Sequence, residues 1–242
     1  MSTEHSVELR KFDDATAAAE TCGAAILALL AQARQERGVA RLAVSGGSTP
    51  RIMFGWMARQ GFDWRNIELF WVDERCVPPD DSQSNFRMTR ESLLDTIGLV
   101  PAQIHRVETE FPPAEAAARY IADITRTFGL QAGEWPVFDV LQRGMGPDMH
   151  TASLFPGEPL INDRSAIAGF VWVEKFGQHR VTLLPGTLER ARQTLCLVTG
   201  ADKTAPLVSV LRGPYDPLQA PSQISSPRMV WYLDRLAAAG LG

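Results

Sequence analysis

The apolar run 41–44 passes directly into Ser45-Gly46-Gly47-Ser48-Thr49-Pro50, and this junction constrains the fold more than any other stretch of the chain. The run has the length of a short buried strand, and the two glycines after it interrupt any regular element. Pro50 suits the first position of a helix, with Thr49 as its cap. The unit is therefore a strand, a glycine-rich turn and a helix. It offers several backbone N–H groups and three hydroxyls at a helix N-terminus, a favourable environment for a phosphate or carboxylate. Taken alone, the same residues also make an ordinary tight turn.

The pattern recurs along the chain. Residues 7–12 have strand character, Asp13 or Asp14 can cap a helix after them, and Ala18, Cys22, Ala25, Ile26, Leu29 and Ala33 form one buried stripe that ends at Gly38. Further strands are predicted at 67–72, 138–141, 168–173, 180–184, 195–198 and 228–233. Helices are predicted at 88–97, 114–128 and 234–239, with a helical turn at 187–192 and a helix opening at Gly200-Ala201-Asp202-Lys203 and running to Leu211. This alternation argues for a largely parallel α/β sheet with helices on both faces, built as one domain over residues 1–242. The proline-rich piece 206–227 is the most loop-like region and has no function of its own in this reading.

Composition narrows the function. The chain has 242 residues, 45% of them hydrophobic and 21% charged, with a net charge of −4. It contains no long charge run, so neither nucleic-acid nor membrane binding is predicted. The longest apolar run, 23–31, is too short to span a bilayer. Cys22, Cys76 and Cys196 are widely spaced with no C-x-x-C pair, which favours a reducing, cytoplasmic setting. An anionic substrate must then be held by a local basic cluster, because the overall field is mildly repulsive.

Two further stretches carry chemistry. Asp73-Glu74-Arg75 comes after the strand 67–72, where open α/β sheets bind ligands, and leads into a polar loop at 76–85. Gly144-Met145-Gly146-Pro147-Asp148-Met149-His150-Thr151-Ala152-Ser153-Leu154-Phe155-Pro156-Gly157 comes after the strand 138–141. It brings an acid, an imidazole and two hydroxyls onto an irregular path. Arg75, Arg180 and Lys203 stand near strand ends, although each, taken singly, also reads as a solvated charge.

Ala43-Val44-Ser45-Gly46-Gly47 departs from a nucleophile elbow only at its first position, but only two candidate strands precede it and no HGGG-type segment is visible. The turn is neither a Walker A loop nor a dinucleotide fingerprint. His5, His105, His150 and His179 show no metal-ligand spacing, so no catalytic metal is predicted.

As an ordered set, these segments resemble the 6-phosphogluconolactonase family. The resemblance rests on Ser45 to Pro50, Asp73-Glu74-Arg75 with Ser84-Asn85, the 144–157 loop, Arg180-Val181-Thr182-Leu183, and Thr199-Gly200 with Lys203. It implies a Rossmann-like fold shared with sugar-phosphate isomerases and deaminases. It also implies hydrolysis of 6-phosphoglucono-1,5-lactone to 6-phosphogluconate in the oxidative pentose phosphate pathway, without metal or organic cofactor, by a monomer or weak oligomer.

The resemblance makes His150 the general base, with Asp148, Asp73 and Arg75 assisting. It makes Ser45, Gly46, Gly47, Ser48, Thr49, Arg180 and Lys203 the phosphate site. An isomerase or deaminase reading would draft Asp73 and His150, but the segment after the histidine lacks the Asn-Glu-Pro type sequence of the deaminases.

Two departures from the family pattern leave a non-catalytic phosphosugar-binding protein as a further alternative: Gln142-Arg143 replaces an apolar pair, and Met149 stands where glycine precedes the histidine. Cys76 also stands where tryptophan is common. If residue 149 needs a left-handed backbone, methionine costs about 1–2 kcal/mol. A displaced imidazole would lose about a hundredfold in rate.

Overall fold

The computed structural model describes residues 6–242. Strands β1 (Ser6–Phe12), β2 (Ala40–Val44), β3 (Ile67–Trp71), β5 (Ile104–His105), β6 (Val140–Arg143), β9 (Thr194–Val198) and β10 (Arg228–Asp234) form a seven-stranded sheet. Its order is β1-β10-β9-β6-β2-β3-β5, with parallel pairing throughout. Strands β4 (Asp73–Arg75), β7 (Ala168–Val173) and β8 (Gln178–Leu183) form a separate antiparallel sheet in the order β4-β8-β7. The predicted parallel α/β sheet is present. The strands expected at 168–173 and 180–184 lie outside it, because a short turn joins them as a hairpin and a hairpin can pair only antiparallel.

Consecutive strand residues face opposite sides, as the two-residue period requires. Leu42, Val44, Leu69, Trp71, Val140, Leu195 and Leu197 pack with α1 (Ala15–Arg37) and α2 (Ser48–Ala58). Ala43, Phe70 and Leu141 face α4 (Pro113–Phe128) and the second sheet. Cys196, Val198, Met229 and Trp231 pack under α6 (Thr204–Arg212). Helix α1 starts at an Asp14 cap and stops at a left-handed Gly38. By length and composition it could cross a bilayer, although the run 23–31 alone could not. Here it packs its Ala18, Cys22, Ile26 and Leu30 stripe into the core.

Several predicted boundaries move. Helix α2 begins at Ser48 with Gly47 as its cap, so Thr49 does not cap it and Pro50 is not its first residue. The segments Asn85–Thr89, a π-helical turn Arg90–Leu94 and Asp95–Ile97 run on as one helix, α3, which starts three residues before the expected Met88. Its first turn is held by the Glu74 carboxylate. Strand β6 is shifted to include Gln142 and Arg143. The chain closes in a 3-10 helix, Ala237–Leu241, because Asp234 still belongs to β10 and caps this last helix by accepting from Ala237 N at 2.8 Å. The helical turn predicted at 187–192 is α5 (Pro185–Leu188).

Candidate active site

Strand β2 leads out to its neighbours β3 and β5 on one side, whereas β6 returns on the other side of it, so the chain reverses direction between β2 and β6. The loops leaving the carboxyl ends of these two strands must separate there, and they open a crevice. A pocket of about 280 Å³ occupies it. Its walls include Ser45 to Thr49, Asp73, Arg75, His150, Arg180 and Lys203, so every predicted site residue except Asp148 lines one cavity.

The wall formed by the turn after β2 is rigidly held. Gly47 adopts φ 125°, which an L side chain rarely tolerates, and this bend turns the start of α2 toward the pocket. Gln142 Oε1 accepts from Ser45 N at 3.1 Å, so that amide is occupied and the Ser45 hydroxyl remains buried without a partner among the described residues. Thr49 Oγ1 lies 2.6 Å from Thr199 Oγ1, which joins this turn to the one after β9. There Asp234 accepts from Gly200 N at 3.0 Å and fixes the turn that presents Lys203. Lys203 is not free, because its Nζ lies 2.6 Å from Asp202 Oδ2.

The second sheet supplies two arginines. Register pairs Arg75 with Arg180 directly across β4 and β8. Arg180 is 5% exposed, and among the described residues no carboxylate lies within 4.0 Å of either guanidinium. Arg75 Nη1 donates to Gln83 O at 2.7 Å. Phe176 and Phe155 flank Arg180 at 4.7 and 5.6 Å. Burial pushes the Arg180 pKa down, Asp73 opposes this and Arg75 adds to it. Like charges facing each other across a ladder are destabilising.

Asp73 is 6% exposed and accepts from Ser153 Oγ at 2.7 Å. Its neighbour Glu74 points the other way. It accepts from Asn85 N and Phe86 N at 2.8 and 2.7 Å, and from Ser84 Oγ at 3.1 Å. Burial pushes the Glu74 carboxyl up, against these backbone donors. Asn85, fixed in this way, donates to Asp73 O at 2.9 Å and reaches the pocket.

In the loop after β6, Asp148 pairs with His150 Nδ1, and His150 lines the pocket. An ionised carboxylate only accepts, so Nδ1 carries a proton, and in the neutral ring Nε2 is then an acceptor. Burial pushes the Asp148 carboxyl up. The hydrogen bond and charge of His150, its backbone N–H and Lys175 outweigh burial and hold the carboxyl well below the usual range. The imidazole rests on Phe155 at 4.4 Å between ring centroids. Met149 takes φ 68°, so the left-handed condition attached to this position is met. The strain of about 1–2 kcal/mol is therefore present in this chain.

Of the residues without a predicted role, Asn85 and Thr199 stood in the motif set, whereas Gln142 was noted only as a departure. Lys175 has no sequence signal: its Nζ lies 3.4 Å from Asp148 Oδ2 because the β7–β8 hairpin folds over the loop.

Comparison with known proteins shows the family. The family model described as glucosamine-6-phosphate isomerases/6-phosphogluconolactonase matches residues 13–231. A 6-phosphogluconolactonase of Synechocystis sp. is 37% identical over 217 residues, covering 88% of this chain and 89% of its own. One from Treponema pallidum is 41% identical over 177 residues, covering 72% and 73%. The crystal structure of 6-phosphogluconolactonase from Thermotoga maritima superposes with a TM-score of 0.83 at 25% identity, covering 95% of this chain and 100% of that one. A monomeric glucosamine-6-phosphate deaminase, 16% identical with a TM-score of 0.81 and covering 96% and 99%, shares the fold. The chain belongs to the glucosamine-6-phosphate isomerase/6-phosphogluconolactonase family.

Proposed function

We propose that the protein hydrolyses 6-phosphoglucono-1,5-lactone to 6-phosphogluconate, as one catalytic domain over residues 1–242. The observation that carries this reading is that the facing pair Arg75 and Arg180, without a carboxylate partner, lines the same pocket as His150, which pairs with Asp148. The first pair and the amides of Gly46 to Thr49 suit a phosphate, with Lys203 exchanging Asp202 for it. The second suits proton transfer. His150 Nε2 takes a proton from water as its oxygen attacks C1, and a tetrahedral oxyanion forms at C1. The C1–ring oxygen bond then breaks, and the imidazolium returns the proton to the departing oxygen. Asp148 keeps the ring in the required tautomer, and Asp73, held by the buried Ser153 hydroxyl, orients the attacking water or the sugar hydroxyls. The three free thiols fit a reducing cytoplasm.

A deaminase would need a carboxylate base after the histidine, where Thr151-Ala152-Ser153 stands. The test is lactone hydrolysis measured on freshly made substrate. Wild type should exceed the buffer blank, and His150→Ala should lose at least about a hundredfold in kcat. Ammonia release from glucosamine-6-phosphate without lactone hydrolysis would overturn the reading.

A further inference from the structure

The proposed hydrolysis depends on an imidazole whose preceding residue is strained, and the role assigned below to Ser222 rests on that reading. A non-glycine residue in the left-handed region persists only where its surroundings over-determine it. From within its own loop, Met149 is held by a bond from its N–H to Gly146 O at 3.0 Å, and Gly146 N donates to His150 O at 2.9 Å. Outside the loop, the hold comes from Ser222. Its backbone N–H donates to Met149 O at 3.0 Å, and its hydroxyl lies 2.8 Å from the same carbonyl and 3.1 Å from His150 O. Ser222 is 1% exposed, so its donors are shielded from water.

Ser222 belongs to the proline-rich segment that has no function in the sequence reading. This segment grips the active loop twice, because Gly157 N also donates to Leu218 O at 2.8 Å. Behind it stands Arg143, one of the departures from the family pattern. Arg143 is 2% exposed, its Nη2 donates to Ile224 O and lies 3.5 Å from Ser222 O, and its Nε and Nη1 have no partner among the described residues. The guanidinium therefore bonds to the backbone of the segment that carries Ser222.

We infer that Ser222, anchored by Arg143, is a positioning residue that holds Met149 in its left-handed conformation and so aligns the His150 ring with Asp148 and the pocket. The dependence comes from Met149: glycine would adopt the same φ without steric cost and would need no such hold.

The test is a four-way comparison of wild type, Ser222→Ala, Met149→Gly and the double variant. Ser222→Ala should lower kcat about tenfold, with KM changed less than about twofold. In the Met149→Gly background, the same substitution should cost less than about threefold, because the two sites are coupled. A readout independent of turnover is the nitrogen-bound proton signal of the His150 ring in the unliganded protein. It should broaden or vanish in Ser222→Ala and return in the double variant. Folding of the double variant where Ser222→Ala fails to fold would support the same coupling.

Equal kcat losses in both backgrounds, no loss, a loss confined to KM, an unchanged ring signal in Ser222→Ala, or misfolding of both variants would overturn the inference. A wild type that hydrolyses no lactone removes the catalytic reading alone, and the ring signal then decides the positioning role.

Discussion

Gly146 carries the acid–base pair by leaving room for it. A Cβ added there would stand 2.0 Å from His150 Nδ1 and 2.7 Å from Asp148 Oδ1, so Gly146→Ala must push the ring off the carboxylate. The expected result is a loss of about a hundredfold in kcat with phosphosugar affinity retained; equal kcat in the variant would separate the pair from catalysis. Asp148 adds a pH signature. Its folded-state value lies below its unfolded one, so its stabilisation is present above about pH 4 and fades as the pH falls through the folded value. Asp148→Asn should therefore melt below wild type at pH 7, and the gap should close only in strong acid. A gap that widens on acidification would contradict the assignment. Asp148 and His150 were legible in the sequence because they share one short loop. Gln142 and Lys175 were not, because their contacts with Ser45 and Asp148 join residues 97 and 27 positions apart through the fold.

Among the elements, strands were easier to read than their ends. Apolar runs mark where a strand is buried, but they do not say what stops it. Strand β3 stops because Tyr120 of α4 takes both backbone groups of Trp71: its hydroxyl accepts from Trp71 N at 3.0 Å and donates to Trp71 O at 2.6 Å. The chain can then leave for the second sheet, whose β4 places Asp73 and Arg75 in the pocket. Tyr120→Phe strands two buried backbone groups and should cost about 1–3 kcal/mol of unfolding free energy. Denaturant titration checks this, and an unchanged midpoint would mean that the bond pair contributes nothing. The start of α3 did carry a local signal, because Ser84 caps it by accepting from Arg87 N at 3.1 Å. What no local pattern shows is the second hold, the Glu74 carboxylate accepting from Asn85 N and Phe86 N at 2.8 and 2.7 Å.

At the scale of the whole molecule, the alternation of strands and helices was enough to predict a parallel sheet and hence a crevice at one end. It could not reveal that a second, antiparallel sheet would close over that crevice and set Arg75 against Arg180. A chain with a net charge of −4 thereby concentrates cations at the pocket. Asp73 offsets the repulsion between the two guanidiniums, and on the proposed reading a bound phosphate group adds to that offset. 6-Phosphogluconate at a hundred times its Kd should stabilise the protein by about 2.7 kcal/mol. For a chain of this length that raises Tm by roughly 5–10 °C. Arg180→Met keeps an apolar stem between Phe155 and Phe176 and removes one of the two facing charges. Its unliganded Tm should stay at or above about 2 °C below wild type, while the ligand-induced rise falls by more than about half. A large drop in the unliganded Tm with the full ligand response kept would make Arg180 a packing residue and leave the phosphate to the glycine-rich turn alone.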